Sequence, residues 1–177
     1  MKRMSTRELT LVAVMIAMVF VVTRFAGITL AFGYFNLGDS IVMVTAIVLG
    51  KRCGLLAGAF GSALSDLLTP GYVIFAPVTF VVKGLEGYVV AYLSERKNIN
   101  AEAAKIIAVV VGSLIMIAGY FIGETFLLSL IDKTYGYSYA INELRTNIVQ
   151  GGICSVLGYA ISTILIKADV KKYAVGR

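Results

Sequence analysis

Long apolar runs alternate with short polar or basic breaks along this chain, and none shows the strict two-residue alternation of a membrane barrel strand. The pattern predicts six helices, at 8–25, 36–49, 54–68, 75–93, 104–131 and 143–167. The second and third are short against the ~20 residues of a full crossing, and the fifth is long enough to cross with tilt. The expected fold is an all-α integral membrane protein, one membrane domain over 1–177 forming a six-transmembrane-helix bundle.

Residues 72–92, YVIFAPVTFVVKGLEGYVVAY, break the apolar rule at their centre with Lys83 and Glu86. A charge at membrane depth costs at least ~2.5–3.5 kcal/mol on insertion scales, so such residues face a bundle interior or a polar cavity. Three apart on a helix, the two share a face. They either neutralise each other or line a site.

Other segments send polar groups to the same level. At ~1.5 Å per residue, Lys83 lies roughly 12 Å and Glu86 roughly 16 Å from the outer end of their helix, and Glu124 roughly 9–10 Å from the outer end of the fifth. Arg145, Asn147 and Gln150 fall in the first ~10 Å of the sixth. Asp39 begins the second helix and Asp66 ends the third. The inner halves carry almost no charge except at their tips. This one-sided distribution predicts an outward-facing polar cavity, with Asn147, Gln150, Gly151 and Cys154 forming one face of the last helix. Arg145, near the interface, is placed to snorkel outward. Asp39, Asp66, Glu86 and Glu124 against Lys83 and Arg145 leave the region net acidic, which suits a neutral or cationic polar solute better than an anion. Tyr34, Phe35, Tyr72, Phe75 and Tyr120 are at hand to stack on a flat ring.

Composition narrows the class. The chain is 59% hydrophobic and 15% charged, against about 25% charged in a soluble domain. The net charge of +6 raises the question of nucleic acid. Its distribution answers it: Lys2, Arg3, Arg7, Lys51, Arg52, Arg96, Lys97, Lys105, Lys167, Lys171, Lys172 and Arg177 all fall on one side of the six-helix scheme, twelve of sixteen. By the positive-inside rule both termini are cytoplasmic, in a multi-pass protein of the cell membrane with no nucleic-acid surface. The basic start and first apolar run lack a small-residue cleavage site before Thr23-Arg24-Phe25, so the first helix is expected to be retained. With no histidine, and Cys53 and Cys154 expected at different depths, neither a metal site, a cofactor nor a disulfide is expected. There is no phosphate-loop, H-E-x-x-H or G-x-S-x-G motif, so no catalytic residue is assigned and any uphill transport needs an ion or a partner for its energy.

Small residues mark packing faces: Gly54, Gly58 and Ser62 in one row, Ala57, Gly61 and Ser65 in another, and Gly119 with Gly123. Ala13 and Ala17 make a weaker small-xxx-small pattern. On the residues alone several classes remain open. These are a binding subunit, buried ion pairs that only fix packing, a stand-alone ion-coupled carrier, and a small intramembrane enzyme with Asp66, Glu86 or Glu124 as acid or base.

The runs N-L-G-D at Asn36–Asp39, G-S-A-L-S-D at Gly61–Asp66 and K-G-L-E-G at Lys83–Gly87 resemble the substrate-binding S components of energy-coupling factor (ECF) vitamin transporters. The likeness is strongest from Tyr34 to Leu93. It is closest to a riboflavin-type group that also takes in hydroxymethylpyrimidine and pyridoxine carriers. The resemblance implies six helices with cytoplasmic termini, and no enzymatic activity. It implies a vitamin site on the outer side, here assigned to Tyr34, Phe35, Asn36, Asp39, Asp66, Lys83, Glu86, Glu124, Asn147 and Gln150, with Tyr34 and Phe35 closing over the solute. It implies that Ala13 and Ala17 dock a transmembrane T component, and that two cytoplasmic ATPases complete the complex. The chain has no tryptophan, a departure from the tryptophan-lined pockets of thiamine-type members. A small neutral or basic ring, hydroxymethylpyrimidine or a B6 vitamer, is favoured, with riboflavin next.

Overall fold

A computed structural model describes residues 4–30 and 33–169. The first helix, α1 (Thr6–Phe25), starts at a capping box. Ser5 Oγ accepts from the Glu8 backbone N–H at 3.2 Å, and the Glu8 carboxylate accepts from the Ser5 N–H at 2.7 Å. Helix α2 (Gly38–Leu49) stops at Gly50, whose φ of +89° only glycine adopts readily. The chain turns there directly into α3, residues 51–67, whose middle, Ala57–Ser62, is wound as π-helix. A 3-10 turn (Val73–Phe75) leads into α4 (Ala76–Ser94), with Pro77 in its first turn where no donor is lost. Helix α5 (Ala101–Ile131) is capped by Asn100 and carries a second π-wound segment at Gly123–Leu128. Helix α6 is Tyr137–Lys167.

Two elements differ from the sequence expectation. The first outer connection is an antiparallel hairpin, β1 (Gly27–Leu30) with β2 (Gly33–Asn36), rather than a plain loop. Its β-branched and aromatic residues supply strand propensity in a segment too short to show a period. Helix α6 begins six residues before 143. The tyrosine-rich 137–142 stretch contains no glycine or proline, and the break comes at Gly136, with φ +135°.

Helices α1, 73–94, α5 and α6 are each long and apolar enough to cross a membrane, and α2 is a shorter apolar helix. Val81, Leu85, Leu114, Ile122, Phe126 and Val156 are exposed on the outside of the bundle. The chain is therefore a multi-pass membrane protein. Lys51 pairs with Glu95 at 3.1 Å, and Tyr159 donates to Glu102 at 2.9 Å, so these polar tips share one end of the bundle. The hairpin and the aromatic cluster of Tyr34, Tyr72, Phe75, Tyr135 and Tyr139 occupy the other. Lys2, Arg3, Lys171, Lys172 and Arg177, which entered the orientation argument, lie outside the described residues.

Close backbone contact fixes α3 against α4. A Cβ added at Gly87 would fall on the Gly54 carbonyl, and one at Gly58 on the Lys83 carbonyl. Gly61 packs on Val19 of α1, while Gly119 and Gly123 receive Val82 and Val78 of α4. Small residues thus bring α4 to the centre of the bundle, packed against α2, α3 and α5.

Candidate functional site

The floor of the site is a buried ionic network. Lys83 of α4 donates to the Asp39 carboxylate of α2, and its Nζ also lies 3.5 Å from Glu86 Oε2. Gln150 of α6 donates from Nε2 to the other Asp39 oxygen at 2.8 Å and accepts the Asn36 backbone N–H at 2.8 Å. Asn36 in turn makes a local turn just before α2, its Oδ1 accepting the Gly38 N–H at 2.9 Å. Cys154 Sγ approaches the Asn36 carbonyl at 3.6 Å. Asp39, Lys83, Glu86 and Gln150 are all buried, so the network holds desolvated charges that must satisfy one another. The tyrosine ring of Tyr120 lies 5.3 Å from Lys83 Nζ, and its hydroxyl shares a 3.0 Å hydrogen bond with Thr79.

Above this floor is a cavity of about 50 Å³. Lys83, Asn36 and Gln150 face it from below, and Asp66, Thr79, Tyr120 and Asn147 from the sides. Glu124 and Glu143 face it from α5 and α6. The roof is aromatic: Tyr34 and Tyr72 have ring centroids 5.1 Å apart, and Phe75 lies 5.9 Å from Tyr72. Tyr34 is bolted at both ends. Its hydroxyl donates to the Thr23 carbonyl at 2.8 Å, and its backbone N–H donates to Glu143 Oε1 at 3.1 Å. Burial, with Tyr72 alongside, pushes the Tyr34 phenol above its usual range, so it stays a donor at neutral pH.

The sequence-assigned residues fall into three groups. Tyr34, Asn36, Asp66, Lys83, Glu124, Asn147 and Gln150 converge on the cavity. Asp39 and Glu86 sit behind its wall and hold Lys83. Phe35 does not line it: alternation along β2 turns its side chain to the face opposite Tyr34 and Asn36, paired with Ile28. Arg145 is exposed and also outside the cavity. Ala13 and Ala17 are exposed on the outer face of α1. Glu143, Thr23, Thr79 and Ser62 line the cavity without having been assigned to the site, Ser62 having been read as a packing residue. Glu143 was legible, because 143, 147, 150 and 154 continue the polar face of α6 back by one turn. Among the described residues no group of three or more potential ligands could hold a metal ion.

A membrane bundle with a polar cavity, roofed at one end by a hairpin and floored by a buried ionic network, has the architecture of a solute-binding membrane protein. Comparison with known proteins sharpens this. Residues 3–167 match the family model described as "ECF-type riboflavin transporter, S component". A Pyrococcus woesei protein described as "Uncharacterized protein in gap 3'region" is 33% identical over 135 residues, 76% of this chain and 84% of that one. The solved S component of a bacterial ECF transporter has the same fold, with a TM-score of 0.71 over 97% of this chain and 98% of that chain, at 14% identity. The chain belongs to the ECF-type riboflavin transporter S-component family. Proteins of this family are substrate-binding transport subunits and not enzymes, which removes the intramembrane-enzyme alternative.

Proposed function

We propose that this chain is the high-affinity binding subunit of an ECF-type importer for a small water-soluble vitamin or vitamin precursor, with hydroxymethylpyrimidine or a B6 vitamer ahead of riboflavin. The observation that carries the reading is the convergence of Lys83, Asn147, Gln150, Glu124, Glu143 and Asp66 on one polar cavity beneath an aromatic roof. Five carboxyls (Asp39, Asp66, Glu86, Glu124 and Glu143) against the single ammonium of Lys83 make the region more acidic than the sequence suggested, because Arg145 lies outside it and Glu143 inside. This favours a neutral or basic ring. Size points the same way. A cavity that accepts benzene measures ~150 Å³, so at about 50 Å³ any ring requires the roof to move, and a single ring requires less movement than a three-ring flavin. Riboflavin keeps its place as the second reading because the family description names it.

In this reading all six helices cross the cell membrane with both termini cytoplasmic, and the cavity opens outward. Tyr34 and its hairpin close over the solute. Ala13 and Ala17, exposed on α1, form the docking stripe for a transmembrane T component, which with two cytoplasmic ATPases supplies the energy source this chain lacks. The test is calorimetry on the detergent-purified chain with hydroxymethylpyrimidine, the B6 vitamers, riboflavin, thiamine, pantothenate, folate and biotin. One saturable, tight ligand whose affinity falls in Lys83→Met supports the reading. Silence across the panel in a folded sample refutes it.

A further inference from the structure

The floor and the upper wall of the cavity differ in one respect. On the floor, Lys83, Asp39, Gln150 and Asn36 are hydrogen-bonded to one another, and Glu86, whose oxygens make no hydrogen bond, has the Lys83 ammonium 3.5 Å away. In the upper wall, Glu124 and Glu143 have no such cation beside them. Glu124 is 1% exposed and Glu143 8%, and Oε2 of each has no hydrogen-bond partner. Among the described residues, no arginine or lysine lines the cavity besides Lys83, which is committed to Asp39 and Glu86. Buried carboxyl oxygens without donors are costly, and two that face each other more so. The backbone holds them in this arrangement. The π-wound segment Gly123–Leu128 carries Glu124, and the Tyr34 N–H fixes Glu143 Oε1, leaving Oε2 unpaired. Gly33 has no side chain where a Cβ would lie 2.7 Å from Glu143 Oε1, so the hairpin leaves room for this carboxyl.

We propose that Glu124 and Glu143 form the specificity-determining subsite of the cavity and recognise an amino group, cationic or bearing two N–H donors, on the ring of the substrate. The inference rests on the reading of this cavity as a vitamin site. An amino nitrogen between the two carboxyls offers each orphaned oxygen a donor, and a positive charge there is matched. A hydroxyl at the same position has one hydrogen to share between them and carries no charge. The flavin ring system, whose polar edge alternates carbonyl acceptors with a single N–H, would leave one oxygen unpaired.

The test uses the full chain in detergent and ligand pairs that differ at one group: pyridoxamine with pyridoxine, and 4-amino- with 4-hydroxy-5-hydroxymethyl-2-methylpyrimidine, with riboflavin alongside. The amino member of at least one pair should bind roughly 10–100-fold more tightly than its hydroxyl partner, the range of one charge-assisted hydrogen bond. Glu124→Gln and Glu143→Gln, which keep an amide oxygen for existing donors such as the Tyr34 N–H, should erase most of that ratio by weakening the amino member far more than the hydroxyl member. Equal affinity within both pairs, or equal losses for both members in the glutamine variants, overturns the subsite. Tight riboflavin binding indifferent to both variants overturns it too, while leaving the transport reading intact. Affinity that follows sodium concentration instead of the amino group also overturns it, by placing an ion between the carboxyls. No binding by any ligand to the folded wild-type chain removes the vitamin reading and the subsite together.

Discussion

Lys83→Met is the perturbation whose consequence the structure defines most sharply. Lys83 is 3% exposed, Asp39 1% and Glu86 0%, so these charges have little water to fall back on. Counted as ionised, the trio carries one net negative charge. Removing the ammonium leaves two buried carboxylates and no cation. Losing one partner of a buried pair costs about 3–5 kcal/mol. Asp39→Asn should cost less, about 1.5–3 kcal/mol for a charge-assisted hydrogen bond, although Asp39 is the closer partner of Lys83. The ammonium keeps Glu86 at 3.5 Å, the pair becomes neutral, and an asparagine oxygen can still accept from Gln150. The double variant returns the net charge to its original value and should fall short of the summed single costs by about 1–3 kcal/mol. Reversible unfolding in mixed micelles measures all four corners of the cycle. The reasoning fails if Asp39→Asn is as damaging as Lys83→Met, or if the two costs add within about 0.5 kcal/mol.

Further outcomes follow from other contacts. Gly87→Ala should destabilise by about 1–3 kcal/mol, since its Cβ meets the Gly54 carbonyl and neither backbone can yield; Gly152→Ala, with nothing within 4 Å, is the matched control and should not destabilise in the same unfolding assay. Tyr34→Phe removes the bond to the Thr23 carbonyl and should speed ligand release roughly 2–10-fold, from about 0.5–1.5 kcal/mol, read by competition kinetics. Because burial raises the Tyr34 pKa, its proton stays on through pH 7–9, and wild-type release should be insensitive to this group over that window. Tryptophan at both Ala13 and Ala17 should abolish uptake by the assembled transporter while vitamin binding to the isolated chain is retained; loss of binding instead would assign these positions to internal packing.

What could be read from the sequence follows from how the membrane penalises polarity. Lys83, Glu86, Glu124, Asn147 and Gln150 stood out because apolar surroundings make each one expensive, and comparing depths placed them at one level before any tertiary contact was known. Partner choice was less visible. The i, i+3 spacing pointed Lys83 at Glu86, whereas the closer partner is Asp39, 44 residues away, delivered by the glycine contacts that press α4 on α3. Local signals could not show the hairpin, with four residues per strand, or the π-wound turns that place Ser62 and Glu124 on the cavity. Phe35 is adjacent to Tyr34 in sequence, but a strand sends neighbours to opposite faces.

The two layers of the site divide the work between holding and choosing. The lower network ties α2, α4, α6 and the end of β2 together through Asp39, Lys83, Gln150 and Asn36, by bonds made within the protein. It can therefore persist while the roof opens. The upper layer is incomplete, and one of its members is mechanically linked to the roof: Glu143 holds the Tyr34 N–H, and Tyr34 holds Thr23 at the end of α1. A ligand that draws Glu143 toward itself acts on the hairpin through that bond, and on α1 through the next. Since α1 also displays Ala13 and Ala17, occupancy of the cavity has a short covalent and hydrogen-bonded route to the proposed docking stripe. If that route is used, a ligand that engages Glu143 should change hydrogen exchange in both the 27–36 hairpin and the outer turn of α1. A Glu143→Gln protein that still binds should show a smaller change in the same two segments, and an undiminished response there would refute the coupling.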